Sequence, residues 1–187
     1  MRTMRSEFDG HGLRTHAACP SEYNAVRRNC MFAFKLIQLI ETRAESLSDG
    51  LMRRIKKDDR CAELLRRVPS DELRRRSHEI YRNLNDWLRN KTESEIEERY
   101  IGLGIKRAKQ GVPYSDLLWA VSATKEHLWE FMEAEGIFTE PIDMLGGMDL
   151  LHSLDRFFDR ILYFAAVGYQ NAQQLEQARH GHAAIHT

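Results

Sequence analysis

The chain has 187 residues, 28 of them basic and 28 acidic, so its net charge is zero. That length is enough for one domain with a real core. The charge balance argues against a dedicated nucleic-acid binder, which carries a basic footprint.

Residues 1–20 are polar, contain glycine and show no hydrophobic period. They read as a disordered tail, and they lack the apolar core of a signal peptide. From Ser21 the pattern is helical. Phe32, Leu36, Leu39 and Ile40 recur at three- and four-residue spacing, and Leu47, Leu51 and Ile55 extend the stripe. Gly50 weakens this helix by about 1 kcal/mol but need not end it. The pattern fades at Lys57 to Asp59, and Cys61 to Val68 fits one short extra turn before Pro69.

Ser70 reads as the next N-cap, with Asp71 and Glu72 near the positive helix end. Leu73, Ser77, Ile80, Leu84, Trp87 and Leu88 share one face. The segment Arg53 to Lys91 holds 13 basic and 7 acidic residues, whereas Thr92 to Thr187 holds 8 basic and 15 acidic. One half can meet the other within a chain or between two chains; the alternative is a pair of solvated faces of opposite sign.

Thr92 and Glu95 form a T-x-x-E capping box that starts the next helix. Gly111 suits a left-handed stop, and Pro113 suits the start of the helix that follows. Gly102 and Gly104 inside the first of these helices predict close approach by another helix backbone. From Tyr114 the stripe is Leu117, Val121, Thr124, Leu128 and Phe131 or Met132. Trp119 falls about 200° from Leu117, on the side of Glu126 and Glu130, as either a partner contact or a cap over a neighbouring helix. Pro141 opens the last segment, with a weak point at Gly146 and Gly147. Leu150, Leu154, Phe157, Ile161 and Phe164 form one stripe; Leu151, Phe158, Leu162, Ala165 and Tyr169 form a second beside it. So wide an apolar arc is buried on two sides, inside the bundle or against a second copy. Trp119, Phe157 and Phe164 are therefore the candidate interface residues. Residues 176–187 are polar and predict a frayed tail.

No run approaches the roughly 18 apolar residues of a membrane span. Three cysteines at unrelated spacings (Cys19, Cys30 and Cys61) fit free thiols in a reducing compartment, so a soluble, cytoplasmic protein is expected. Catalytic chemistry does not assemble. Cys61 has basic neighbours, which lower a thiol pKa, but no histidine stands at a motif spacing. The helical angles turn His78 and His152 to solvent, and the histidines at 180, 182 and 186 belong to the tail. Only His127 borders an apolar stripe, beside Ala120 and Phe131; these three mark the candidate small-molecule or haem pocket. The basic 53–91 face is the candidate nucleic-acid surface.

The stretch ELRRRSHEIYRNLNDWLRNKTESEIEERYIGLGIKRAKQGVPYSDLLWAVSATKEHLWEF from Glu72, the opening LIETRAESLSDGLMRRIKKDDR from Leu39 and the closing FFDRILYFAAVGYQNA from Phe157 resemble the N-terminal sensor domain of the RsbRD type. That family contains co-antagonists of RsbT in bacterial stress signalling. The resemblance covers most of residues 30–175 and rests on helix packing, not on chemistry. It implies an all-α, single-domain helical bundle of about five main helices over residues 21–175. It also implies a globin-like fold without haem, and a dimer. Such domains precede output modules. No output module follows here, so the resemblance implies a protein partner that supplies the output. The expectation is a non-enzymatic sensor with no resident cofactor. The alternatives are a ligand or haem sensor near His127 and a nucleic-acid-binding regulator.

Overall fold

The computed structural model describes residues 33–135 and 141–183, with side chains described over 33–135 and 147–178. Every element among them is helical: α1 (33–42), α2 (Ala44–Ile55), a 3₁₀ turn (Asp59–Cys61), α3 (Ala62–Arg67), α4 (Ser70–Arg82), α5 (Leu84–Arg89), α6 (Glu93–Lys109), α7 (Tyr114–Ala134) and α8 (Pro141–Ala183). The predicted tail at 1–20 and the helix start at 21–32 lie outside the described residues.

Two pairs of these helices are single rods with one irregular residue. Arg43 interrupts α1 and α2, yet its N–H donates to Leu39 O at 3.0 Å and its carbonyl accepts from Leu47 N at 2.9 Å. At Asn83 the side-chain amide donates to Glu79 O at 2.9 Å. That contact competes for a helical carbonyl at the irregular residue between α4 and α5. Counting each pair once gives five long helices, the number expected. The helix runs through Gly50 without a break.

The corners are built by local chemistry. The Thr92–Glu95 capping box is complete. Gly111 has φ +68°. Gly111 N donates to Ala108 O at 2.8 Å and Val112 N to Arg107 O at 3.1 Å, the paired bonds of a Schellman stop. Tyr169 Oη locks this corner by donating to Val112 O at 2.8 Å. Ser70 is not an N-cap: Pro69 holds that position, Ser70 is already helical, and no side chain caps the end. The short α3 is capped from a distance. Asp116 Oδ2 accepts from Glu63 N and Leu64 N at 3.1 and 3.2 Å.

The backbones of α6 and α8 cross in close contact. A Cβ on Gly104 would lie 2.1 Å from Ala165 O, and one on Gly168 would lie 2.1 Å from Ile101 O. The expected close approach therefore occurs at Gly104. At Gly102 nothing lies within 4 Å, and Gly168 is the second contact point. Both stripes of α8 are used: Leu150, Leu154, Phe157, Phe158, Ile161 and Phe164 join the main core, while Ala165 and Tyr169 pack with Leu117. The helix also continues through Gly147 and Gly181 to Ala183, so the expected weak point and the expected fraying at 176–183 are not seen. Alanine, glutamine, leucine and glutamate dominate that end and favour helix. Among the described residues, no helix is long and apolar enough to cross a membrane.

Candidate functional site

His127 does not hold a pocket. Its Nε2 lies 3.1 Å from Leu47 O, and a Cβ on Gly50 would fall 2.7 Å from the same nitrogen. The ring is wedged against α2, and Gly50 is the residue that makes room for it. Burial pushes its pKa below the usual histidine value, against the opposing pull of the Leu47 carbonyl. The neutral ring donates from Nε2 and leaves that atom no space for an iron. Phe131 packs on the main core. Of the three predicted pocket residues, only Ala120 lines the cavity described next.

That cavity lies between α2, α3, α4, α6, α7 and α8, and its volume is about 90 Å³. An engineered protein cavity of about 150 Å³ takes benzene, so haem does not fit here. Its walls are apolar, from Leu51, Met52, Leu73, Ile80, Leu103, Val121 and Phe158, with Arg76, Ser77, Tyr100, Arg107 and Thr124 as the polar members. The Tyr100 hydroxyl is buried and finds no hydrogen-bond partner among the described residues.

Arg107 is 1% exposed. The sequence reading missed it, although Tyr100, Leu103 and Arg107 stand at i, i+3 and i+7. A charge at a stripe position was the available signal. Its Nη2 donates to Glu72 Oε1 at 2.9 Å and its Nη1 to Gln110 Oε1 at 2.6 Å. Glu72 Oε1 also accepts from Lys106 Nζ at 2.8 Å and Arg76 Nε at 3.3 Å. Burial raises the Glu72 pKa, but the hydrogen bonds from Lys106 and Arg107 outweigh it and bring the carboxyl to about 2. Burial lowers the Arg107 pKa, and Glu72 partly restores it.

The predicted interface residues are all engaged within the chain. Phe157 and Phe164 are buried in the main core. Phe157 packs against Trp87 in a tilted contact and against Tyr100 edge-to-face, at centroid distances of 5.8 and 6.3 Å. Trp119 donates from Nε1 to Asp58 Oδ2 at 2.7 Å, and the Arg60 guanidinium lies 3.4 Å from its ring centroid. The tryptophan therefore caps the 3₁₀ turn, the second of its two expected roles. Cys61 beneath it is buried, and burial, followed by Asp58 and Asp116, raises its thiol to about 11. The basic neighbourhood does not make it a nucleophile.

About half of the basic 53–91 face is paired: seven of its thirteen basic residues form ion pairs among the described residues. Arg54 reaches Glu126 and Glu130 on α7 at 2.6 Å each. Arg74 reaches Asp49 and Glu45 on α2 at 2.6 and 3.0 Å. Arg66 and Arg67 both reach Glu63. The opposite charges of the two halves thus meet within one chain, at Arg54. Among the described residues, no group of histidine, cysteine and carboxylate side chains converges as a metal site.

Fold and cavity together define an all-α domain with a packed core and a small apolar chamber edged by a buried ion network. Residues 45–184 match the family model described as the RsbT co-antagonist protein rsbRD N-terminal domain, and the chain belongs to that family of stressosome-type signalling input domains. No curated protein and no solved structure matches it.

Proposed function

We propose that the chain is a non-enzymatic, cytoplasmic input module that dimerises and passes its signal by protein contact to a partner carrying the output. The observation that carries this reading is α8. Ala172 is its last buried residue among the described side chains, yet the helix runs on to Ala183. At 1.5 Å per residue it projects about 16 Å beyond the core. Leu175 on this projection and Tyr163 before it are each 65% exposed. Large exposed apolar side chains on a protruding helix suit association with a second helix. Membership of a signalling family supports the same reading.

The test is native mass spectrometry of the full chain beside Tyr163→Glu and Leu175→Glu. The expected result is a dimer that the two substitutions dissociate at an unchanged melting temperature. A monomer at every concentration, or dimers untouched by both substitutions, overturns the reading.

A further inference from the structure

The chamber between the six helices is larger than ordinary packing leaves. Folded interiors hold few voids bigger than one water molecule, whose share of the liquid is about 30 Å³; this one measures about 90 Å³. Loosely packed helices are not the cause. Leu103 and Ile161 stand in its wall, yet beside them α6 and α8 meet so closely that a Cβ on Gly104 would lie 2.1 Å from Ala165 O. Water is a poor occupant. A buried water needs about two to four polar partners, and the polar side chains of the lining give their hydrogens to the chain. Ser77 Oγ donates to Arg74 O at 2.9 Å, and Thr124 Oγ donates to Ala120 O at 2.7 Å. Arg107 donates to Glu72 and Gln110. Arg76 donates to Glu72 through Nε and is partly exposed to solvent. The rest of the wall is mostly leucine, isoleucine, methionine, valine and phenylalanine.

An occupant therefore gains by apolar contact and by leaving water. The cavity of about 150 Å³ that takes the six carbons of benzene sets the scale, and by it about 90 Å³ takes three or four non-hydrogen atoms. We propose that the chamber is a binding site for a small, uncharged, apolar molecule of that size, such as propane, held among Leu51, Ile80, Leu103, Val121 and Phe158. These five side chains come from α2, α4, α6, α7 and α8, so one small molecule touches five helices at once. One of them is α8, whose far end carries the proposed partner contact. A molecule bound only by the folded chain stabilises that arrangement by mass action. This deepens the input-module reading by naming the class of signal; the word signal rests on that reading, and the site does not.

The probe is propane, dissolved under pressure and followed by the methyl NMR signals of the full chain. Ethanol, with as many non-hydrogen atoms but a hydroxyl, is the polar control, and benzene is the oversize one. Saturable shifts are expected at the methyls of Leu51, Ile80, Leu103 and Val121, with a Kd of about 1–10 mM, since so few atoms allow little tighter binding. Ethanol should bind at least about tenfold more weakly, and benzene should leave these signals in place. Ala120→Leu should fill the chamber and abolish the propane shifts. Leu51→Ala removes three carbons from the wall and should admit benzene; Leu73→Ala repeats that test should Leu51→Ala fail to fold. Propane shifts that do not saturate, ethanol binding as tightly as propane, benzene entering the unaltered chain, or full propane affinity in Ala120→Leu overturns the proposal. A dimer that takes up no propane removes this proposal and leaves the input-module reading standing. A monomer that binds propane does the reverse.

Discussion

Replacing Glu72 by Gln should damage the fold more than any comparable change at its three basic partners. The substitution keeps the shape and removes the one carboxylate that, among the described residues, pairs with Arg76, Lys106 and Arg107. Arg107 is 1% exposed and cannot turn to water; it would keep neutral acceptors, the new amide oxygen and Gln110, but no negative charge. Two routes give the size. The carboxyl moves from 4.5 to about 2 in the folded chain, and at 1.36 kcal/mol per pKa unit this amounts to about 3 kcal/mol. Stranding one member of a buried ion pair costs about 3–5 kcal/mol. For a domain of this length, about 3 kcal/mol lowers the melting temperature by about 6–12 °C. Arg107→Met should cost less, about 1 kcal/mol, because its aliphatic stem is kept and Glu72 retains Lys106 and Arg76. The double variant should sit close to Arg107→Met alone, with a coupling of about 3 kcal/mol. Denaturant unfolding of the four proteins gives all these values. A Glu72→Gln cost below about 1 kcal/mol, or a larger cost for Arg107→Met than for Glu72→Gln, would refute the reasoning.

Other consequences can be measured on the same footing. Gly102→Ala should stabilise by about 1 kcal/mol, because the new methyl meets open space in a helix. Gly104→Ala should destabilise by about 1–3 kcal/mol, because its methyl meets the Ala165 backbone; equal midpoints in urea would contradict the close crossing of α6 and α8. Glu72, Asp58 and Glu95 all have folded pKa values of about 2. Their stabilisation is complete above the unfolded carboxylate range and is lost as pH falls towards 2, so an acid unfolding curve that is flat from pH about 4.5 to 2 would be wrong for this structure. His127 has a folded pKa below its unfolded value of 6.5. The unfolded chain takes up the proton first, so stability should fall as pH drops below 6.5, and His127→Gln should flatten that part of the profile. Cys61 should resist alkylation in the folded protein at neutral pH, since its buried thiol is held at about 11; modification of Cys61 at the rate of an unfolded peptide would show that the Trp119 cap is not closed.

Much of the core was legible because it follows period alone. Ile96, Tyr100 and Leu103, or Leu150, Leu154 and Phe157, repeat at the helical interval, and each is buried. The corner at Gly111 and Pro113 was legible for a different reason, because glycine and proline restrict backbone angles by themselves. The cavity was not. Its lining comes from six helices, and no spacing within one of them records where the others stop short of contact. The same holds for His127. Its position at the edge of an apolar stripe is correct, but only the fold shows that Gly50 and the Leu47 carbonyl occupy the space a ligand would need. Trp119 was open between two roles, and Asp58, 61 residues away in sequence, decides for the cap.

The sequence by itself determined that this protein is helical, where the corners at Thr92 and at Gly111 and Pro113 fall, and which stripes are buried, since these depend on residues within a few turns of one another. Its patterns were also enough to recognise the family. The tertiary structure decided what the buried charges do. Whether Arg107 is a surface arginine or the centre of a network depends on Glu72, 35 positions away, and a charge survives burial only where the fold brings it a partner.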